Sequence, residues 1–183
     1  MIATFDTLIA IAQIAATFAG FGAVATAFGS RDQAGAVRVD AGRMMNLIIM
    51  SLSCISIAVL PAVIGQFDIA ERWVWGSAAA AYLLVASIAM PAVLLRTRQM
   101  GRHGLLSVPA LVAGVALGVV GITAMLLTLF DFPTGIGAAA YTAGLFAMLC
   151  NTLVLFYVLV RSLLQPYAPD VQQPAPPTER SAD

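Results

Sequence analysis

The fold is decided by three consecutive stretches: VPALVAGVALGVVGITAMLLTLF (108–130), DFPTG (131–135) and IGAAAYTAGLFAMLCNTLVLFYVLVRSLL (136–164). The two long runs hold Arg161 as their one charged residue, and a short polar segment separates them. A bilayer core about 30 Å thick needs roughly 20 apolar residues of helix, each rising about 1.5 Å. Both runs reach that length. Ser107, with Pro109 in the next turn, marks a helix start, and Asp131 or Thr134 can cap the second helix after Pro133. Residues 108–164 therefore predict an antiparallel hairpin of membrane-spanning helices.

Three more runs of the same character precede it, from Ile2 to Phe28, Met44 to Ile64 and Trp73 to Leu95. The expected fold is an all-α integral membrane protein, a five-span bundle over residues 1–165. A Pro-rich tail follows at 166–183, too poor in apolar residues to offset ordering entropy and so expected to be disordered. Composition agrees: 61% of residues are hydrophobic and 10% charged, where soluble domains carry roughly 25% charged. Pro61 and Pro91 lie inside the second and third spans. Each removes a backbone donor and releases the carbonyl four residues earlier, at Ile57 and Ser87, so a bend is expected at both places.

Arginine sets the expected orientation, since lysine is absent. Arg31, Arg38 and Arg43 fall between the first two spans, and Arg96, Arg98 and Arg102 between the third and fourth. Arg161 and Arg180 accompany the end of the fifth span, and Arg72 alone sits on the other side. The positive-inside rule then puts the N-terminus outside and the C-terminus in the cytoplasm. A cleaved signal peptide is the competing explanation of the first run. Its leading residues hold no basic side chain, and the run exceeds the 7–15 residues of a signal core, so a retained span is expected. Abundant alanine with arginine in place of lysine points to a bacterial chain from a GC-rich genome, hence to the inner membrane.

Lipid gives apolar helices no hydrophobic reason to associate, so small residues and hydrogen bonds must join them. Ala110, Gly114, Gly118, Gly121 and Met125 form one stripe on the fourth span, and Ala140, Gly144, Ala147 and Asn151 one on the fifth. On the first span Asp6, Gln13, Thr17 and Gly20 share a face. These glycines are expected to pack helices within one subunit, with contacts between subunits as the alternative. Gln13, Ser53 and Asn151 fall near the membrane midplane. A polar group stranded in hydrocarbon is costly, so they are expected to face protein as a hydrogen-bonded layer. With Thr17 they would otherwise line a conduction path or ligand pocket.

Chemistry is thinly supplied. His103 is the single histidine and lies in an arginine loop, Cys54 and Cys150 sit apart within apolar runs, and no phosphate-binding or dinucleotide fingerprint occurs. The sequence predicts no enzyme, no cofactor and no metal. Zero formal net charge argues against nucleic acid as a partner. The expected partners are membrane lipids, other membrane proteins or further copies of the chain. The six arginines 31, 38, 43, 96, 98 and 102 would bind anionic headgroups or an acidic or phosphorylated partner. An accessory or scaffold subunit is the expected function. A homo-oligomeric channel or membrane-perturbing effector is the alternative.

Overall fold

The computed structural model of the protein describes residues 2–29, 34–101, 108–130 and 135–164. Regular structure among them is entirely helical: α1 (Ile2–Gly29), α2 (Ala34–Ile64), a 3-10 turn (Gly65–Phe67), α3 (Glu71–Gly101), α4 (Val108–Leu129) and α5 (Gly137–Leu164). Four helices contain a stretch long and apolar enough to cross a membrane, namely Phe5–Val24, Met44–Phe67, Pro109–Leu129 and Gly137–Arg161. The chain is a multi-pass helical membrane bundle. The helix α3 covers the third run, but charged Glu71 and Arg72 open it and Arg96 and Arg98 lie near its end. It is not among the four. The caps Ser107, Asp131 and Thr134, the loop His103 and the tail 166–183 lie outside the described residues.

Boundaries follow the apolar runs closely except at α2, which begins at Ala34 rather than Met44, and at α3, which ends at Gly101 rather than Leu95. The hydrophobic run gives only the part of that helix that suits hydrocarbon, while a helix can continue into water past the membrane surface. Arg38 and Arg43 thus belong to α2, and Arg96 and Arg98 to α3, instead of to loops. Because α2 and α3 are joined by a short reversal and pack together, those helix ends lie at the same end of the bundle. The reversal uses Asp68 in the left-handed region (φ 53°), and Trp73 N–H donates to Ala70 O at 2.8 Å as α3 begins. Glu71 in the first turn suits the positive end of the helix dipole.

The helix α5 is central, packing against each of the other four, whereas α1 lies mainly on α2 and α5, and α4 mainly on α5 and α3. Tyr141, Leu145, Met148 and Leu149 of α5 meet Leu8, Ile11 and Ala15 of α1, Cys54 and Ile57 of α2, Trp75 and Ala79 of α3 and Met125 of α4 in one buried cluster. Close helix approach depends on particular glycines. A Cβ at Gly144 would lie 2.8 Å from Met125 Cε and 3.3 Å from Gly121 O, and one at Gly121 would lie 3.0 Å from the Tyr82 hydroxyl. In α1 the tight position is Gly22, where a Cβ would come within 2.6 Å of Leu47 Cδ2.

Candidate functional site

Polar groups stand closest together in two regions. The first is a stitched junction near the α2–α3 reversal. Pro61 leaves the Ile57 carbonyl without its helical donor, and the Tyr141 hydroxyl donates to that carbonyl at 2.6 Å from the far side of the core. Trp75 packs against Tyr141 with ring centroids 5.5 Å apart and stacks on Phe5 at 5.9 Å. Its indole N–H donates to Glu71 Oε1 at 3.3 Å. Four helices are thereby tied at one level. Beside the junction is a cleft of about 490 Å³ lined by Phe5, Gln66, Asp68, Glu71, Val74 and Trp75. Arg72 turns elsewhere, its guanidinium lying 5.4 Å from the centre of the Trp73 ring.

The second region is the outward face of α1. Leu8, Ile11, Ala12, Ala15 and Gly22 are buried, while Asp6, Ala10, Gln13, Thr17, Gly20 and Val24 on the opposite side are exposed. Helical spacing of three and four residues aligns those six in one stripe. The Thr17 hydroxyl donates to the Gln13 backbone carbonyl at 2.9 Å, and the Gln13 side chain is exposed. Around Gly20 a Cβ would meet nothing within 4 Å.

The polar residues singled out in the sequence are therefore not gathered at one place. Gln13 and Thr17 face away from the bundle. Ser53 is half-buried in α2, and Asn151 is half-buried with its Oδ1 3.2 Å from where a Cβ of Gly114 would stand. Of the packing glycines, Gly114, Gly121 and Gly144 make contacts within the chain, Gly118 is half-buried on α4, and Gly20 looks outward. Arg31 and Arg102 lie outside the described residues.

Sequence reasoning missed three groups. Tyr141 is one; the only signal was Pro61, which announces a carbonyl in need of a donor without saying who supplies it. Thr128 is another, its hydroxyl reaching Ala124 O at 3.0 Å and Gly137 O at 3.3 Å across the α4–α5 hairpin. The third is Ser51, fully buried with no partner for its hydroxyl, two residues from the Ser53 that the sequence suggested. Among the described residues no three His, Cys, Asp or Glu side chains group as metal ligands.

No known protein family matches this chain, and neither a characterised protein nor a solved structure shows detectable similarity to it.

Proposed function

We propose that the chain is a non-enzymatic accessory or scaffold subunit of the bacterial inner membrane, whose work is to bind other proteins within the bilayer. One observation carries this most directly: the exposed side of α1 sets a stripe of small and polar residues, Ala10, Gln13, Thr17 and Gly20, among the apolar Ile9, Ile14, Phe21 and Val24, where a surface meant only for acyl chains would be apolar throughout. A free carboxamide in hydrocarbon costs several kcal/mol, roughly 2 to 7 by transfer measurements, and a helix face dense in alanine and glycine offers lipid tails little to pack against. Both features suit a neighbouring helix.

The remaining architecture completes the proposal. All five helices cross the membrane, α3 by its stretch Trp73–Leu95, with the N-terminus outside and the C-terminus in the cytoplasm. The topology supports it by bringing the arginine-bearing ends of α2 and α3 to one end of the bundle. Arginines 31, 38, 43, 96, 98 and 102 on that side would hold anionic headgroups or an acidic cytosolic partner, each basic residue near the surface contributing about 1 kcal/mol.

The test places a photo-crosslinking side chain at Gln13 or at Val119, one position at a time, in growing cells. Gln13 should give a discrete protein adduct, and Val119, on the outward side of α4, only lipid. Lipid adducts alone at both positions would overturn the proposal.

A second reading is favoured by the exposure of Gln13 and Thr17: several copies around an axis could turn them toward water as a pore lining, with Asn151. Asn151 instead faces α4 inside the bundle, which weakens that arrangement. If Gln13→Leu with Asn151→Leu leaves bilayer conductance unchanged, the pore is excluded.

A further inference from the structure

We infer that the cleft beside the α2–α3 reversal binds an alkylammonium group, taken up by the rings of Phe5 and Trp75 and the carboxylates of Asp68 and Glu71. The inference goes beyond the scaffold reading and does not depend on it. The cleft measures about 490 Å³, within the roughly 300 to 1,000 Å³ of small-molecule sites. Val74 and Trp75 are its buried part, and Gln66, Asp68 and Glu71 are its exposed rim. An apolar interior with a few polar groups at the mouth is the usual build of a pocket for an organic ligand.

Charge sets the sign of the ligand. The residues lining the cleft include two acids and no base. The Trp75 indole N–H donates to Glu71 Oε1 at 3.3 Å, and because an indole is neutral this bond orients the carboxylate without cancelling its charge. Arg72, adjacent in sequence, is engaged elsewhere: its guanidinium lies 5.4 Å from the centre of the Trp73 ring. The kind of cation follows from the walls. Aromatic rings attract a cation through their π electrons, more strongly where water is excluded, and the Phe5 and Trp75 rings stack at 5.9 Å along this cleft. A hard metal ion would want oxygen ligands on several sides and gain nothing from those rings. Among the described residues no three His, Cys, Asp or Glu side chains group to supply them.

Depth in the membrane narrows the source. The apolar stretch of α1 begins at Phe5 and that of α2 ends at Phe67, so the cleft lies where hydrocarbon gives way to headgroups. An ammonium group is presented there by a lipid headgroup or by a free amine, and the chemistry of capture is the same for both. The experiment uses the full-length chain carrying Trp73→Phe, which leaves Trp75 as the sole tryptophan, in nanodiscs of phosphatidylglycerol. Choline is titrated against Trp75 fluorescence, beside 3,3-dimethylbutan-1-ol, its uncharged carbon isostere. Choline should give a saturable change and the isostere should not. Asp68→Asn with Glu71→Gln should weaken choline binding about tenfold or more, whereas Asp6→Asn, exposed at the same end but outside the cleft, should change it less than about twofold.

A second arm adds phosphatidylethanolamine to the nanodiscs. If the choline response then disappears, a lipid headgroup is the occupant; if it persists, a free amine is, and either result supports the site. A response to choline that does not saturate overturns the inference. So does equal binding of the isostere, which needs no variant to fold, and so does an equal loss in Asp6→Asn, which would reduce the effect to surface charge. Calcium matching choline at equal concentration would make the carboxylates a simple cation site and end the role of the rings. The Gln13 photo-crosslink is unaffected by all of these outcomes, so the scaffold reading stands or falls separately.

Discussion

The outward sides of α1 and α4 are both exposed, both helical and both free of basic residues, yet they are built from different material. On α4 the exposed positions include Leu111, Val112, Val115, Val119, Val120, Leu126 and Leu127, with Val112 61% and Leu127 63% accessible. On α1 Ile9, Ile14, Phe21 and Val24 are exposed as well, but Ala10, Gln13, Ala16, Thr17 and Gly20 stand among them. In water such exposure would condemn α4 and excuse α1. In a bilayer the order reverses, because branched aliphatic side chains mix with acyl chains at no cost while an amide and a row of small residues do not. The α4 surface suits acyl chains along its length, whereas the α1 surface interrupts its apolar residues with an amide and small side chains.

The largest expected effect separates a glycine that packs the bundle from one that does not. Gly144→Leu drives a branched side chain against Met125, Ala124 and the Gly121 carbonyl. Overpacking of this kind typically costs about 1 to 3 kcal/mol and sometimes more. Gly20→Leu, in open space, should leave the unfolding of the single bundle unchanged and lower only association. Equal destabilisation of the two variants in mixed-micelle unfolding would erase the distinction between inward and outward glycines.

Next in size is Tyr141→Phe. It leaves the aromatic packing in place but strands the Ile57 carbonyl that Pro61 released, and an unsatisfied buried acceptor costs about 1 to 3 kcal/mol. Replacing Pro61 with alanine in the same chain restores the helical donor, so the double variant should recover part of the loss. If Tyr141→Phe unfolds like wild type, that carbonyl does not depend on the hydroxyl.

The third transfers the character of one face to the other. Val119→Gln puts a carboxamide on the lipid side of α4, where nothing of the chain can satisfy it. The variant should acquire self-association, with about 0.6 kcal/mol expected for each hydrogen bond formed between helices. Fluorescence transfer in liposomes would read it as association beyond that of the wild-type chain. No new association would mean that a midplane amide is insufficient to recruit a helix here, and the α1 contact would then rest on its small residues.

Element by element, the helices were legible because apolar run length maps directly onto bilayer thickness, and α4 and α5 emerged with boundaries close to those expected from residues 108–164. The arginine-bearing extensions of α2 and α3 were not, since hydropathy reports where hydrocarbon ends and not where a helix ends. Orientation of each helix about its own axis was the least legible. Asp6, Gln13, Thr17 and Gly20 were read as sharing a face, which they do; contacts within the subunit were expected first and contacts between subunits as the alternative, and within the single chain the face is exposed. In a run that is apolar all round, periodicity gives no sense of inside and outside. Gly22, two residues beyond Gly20 and on the other side of the helix, makes the close contact instead. Likewise the Tyr141 partner of Ile57 is set by how α5 docks, which no local pattern encodes.

The smallest effect concerns the bundle's own counterpart of Gln13. Ser51 is completely enclosed and its hydroxyl has no partner, whereas the hydroxyls of Thr128 and Thr152 donate to the carbonyls of Ala124 and Met148. Deleting an unpartnered hydroxyl removes a desolvation cost and leaves a void of a single atom, so Ser51→Ala should change stability by no more than about 1 kcal/mol, in the stabilising direction. It should not alter association, because α2 buries this position. Gln13→Leu should do the opposite, shifting association and sparing the bundle. The contrast matters because both residues are polar, one enclosed by its own chain and one on the outer surface of the bundle. A marked loss of stability in Ser51→Ala would mean that its hydroxyl is bonded after all, and the difference between the two sites would then lie in the donor's orientation and not in which surface surrounds it.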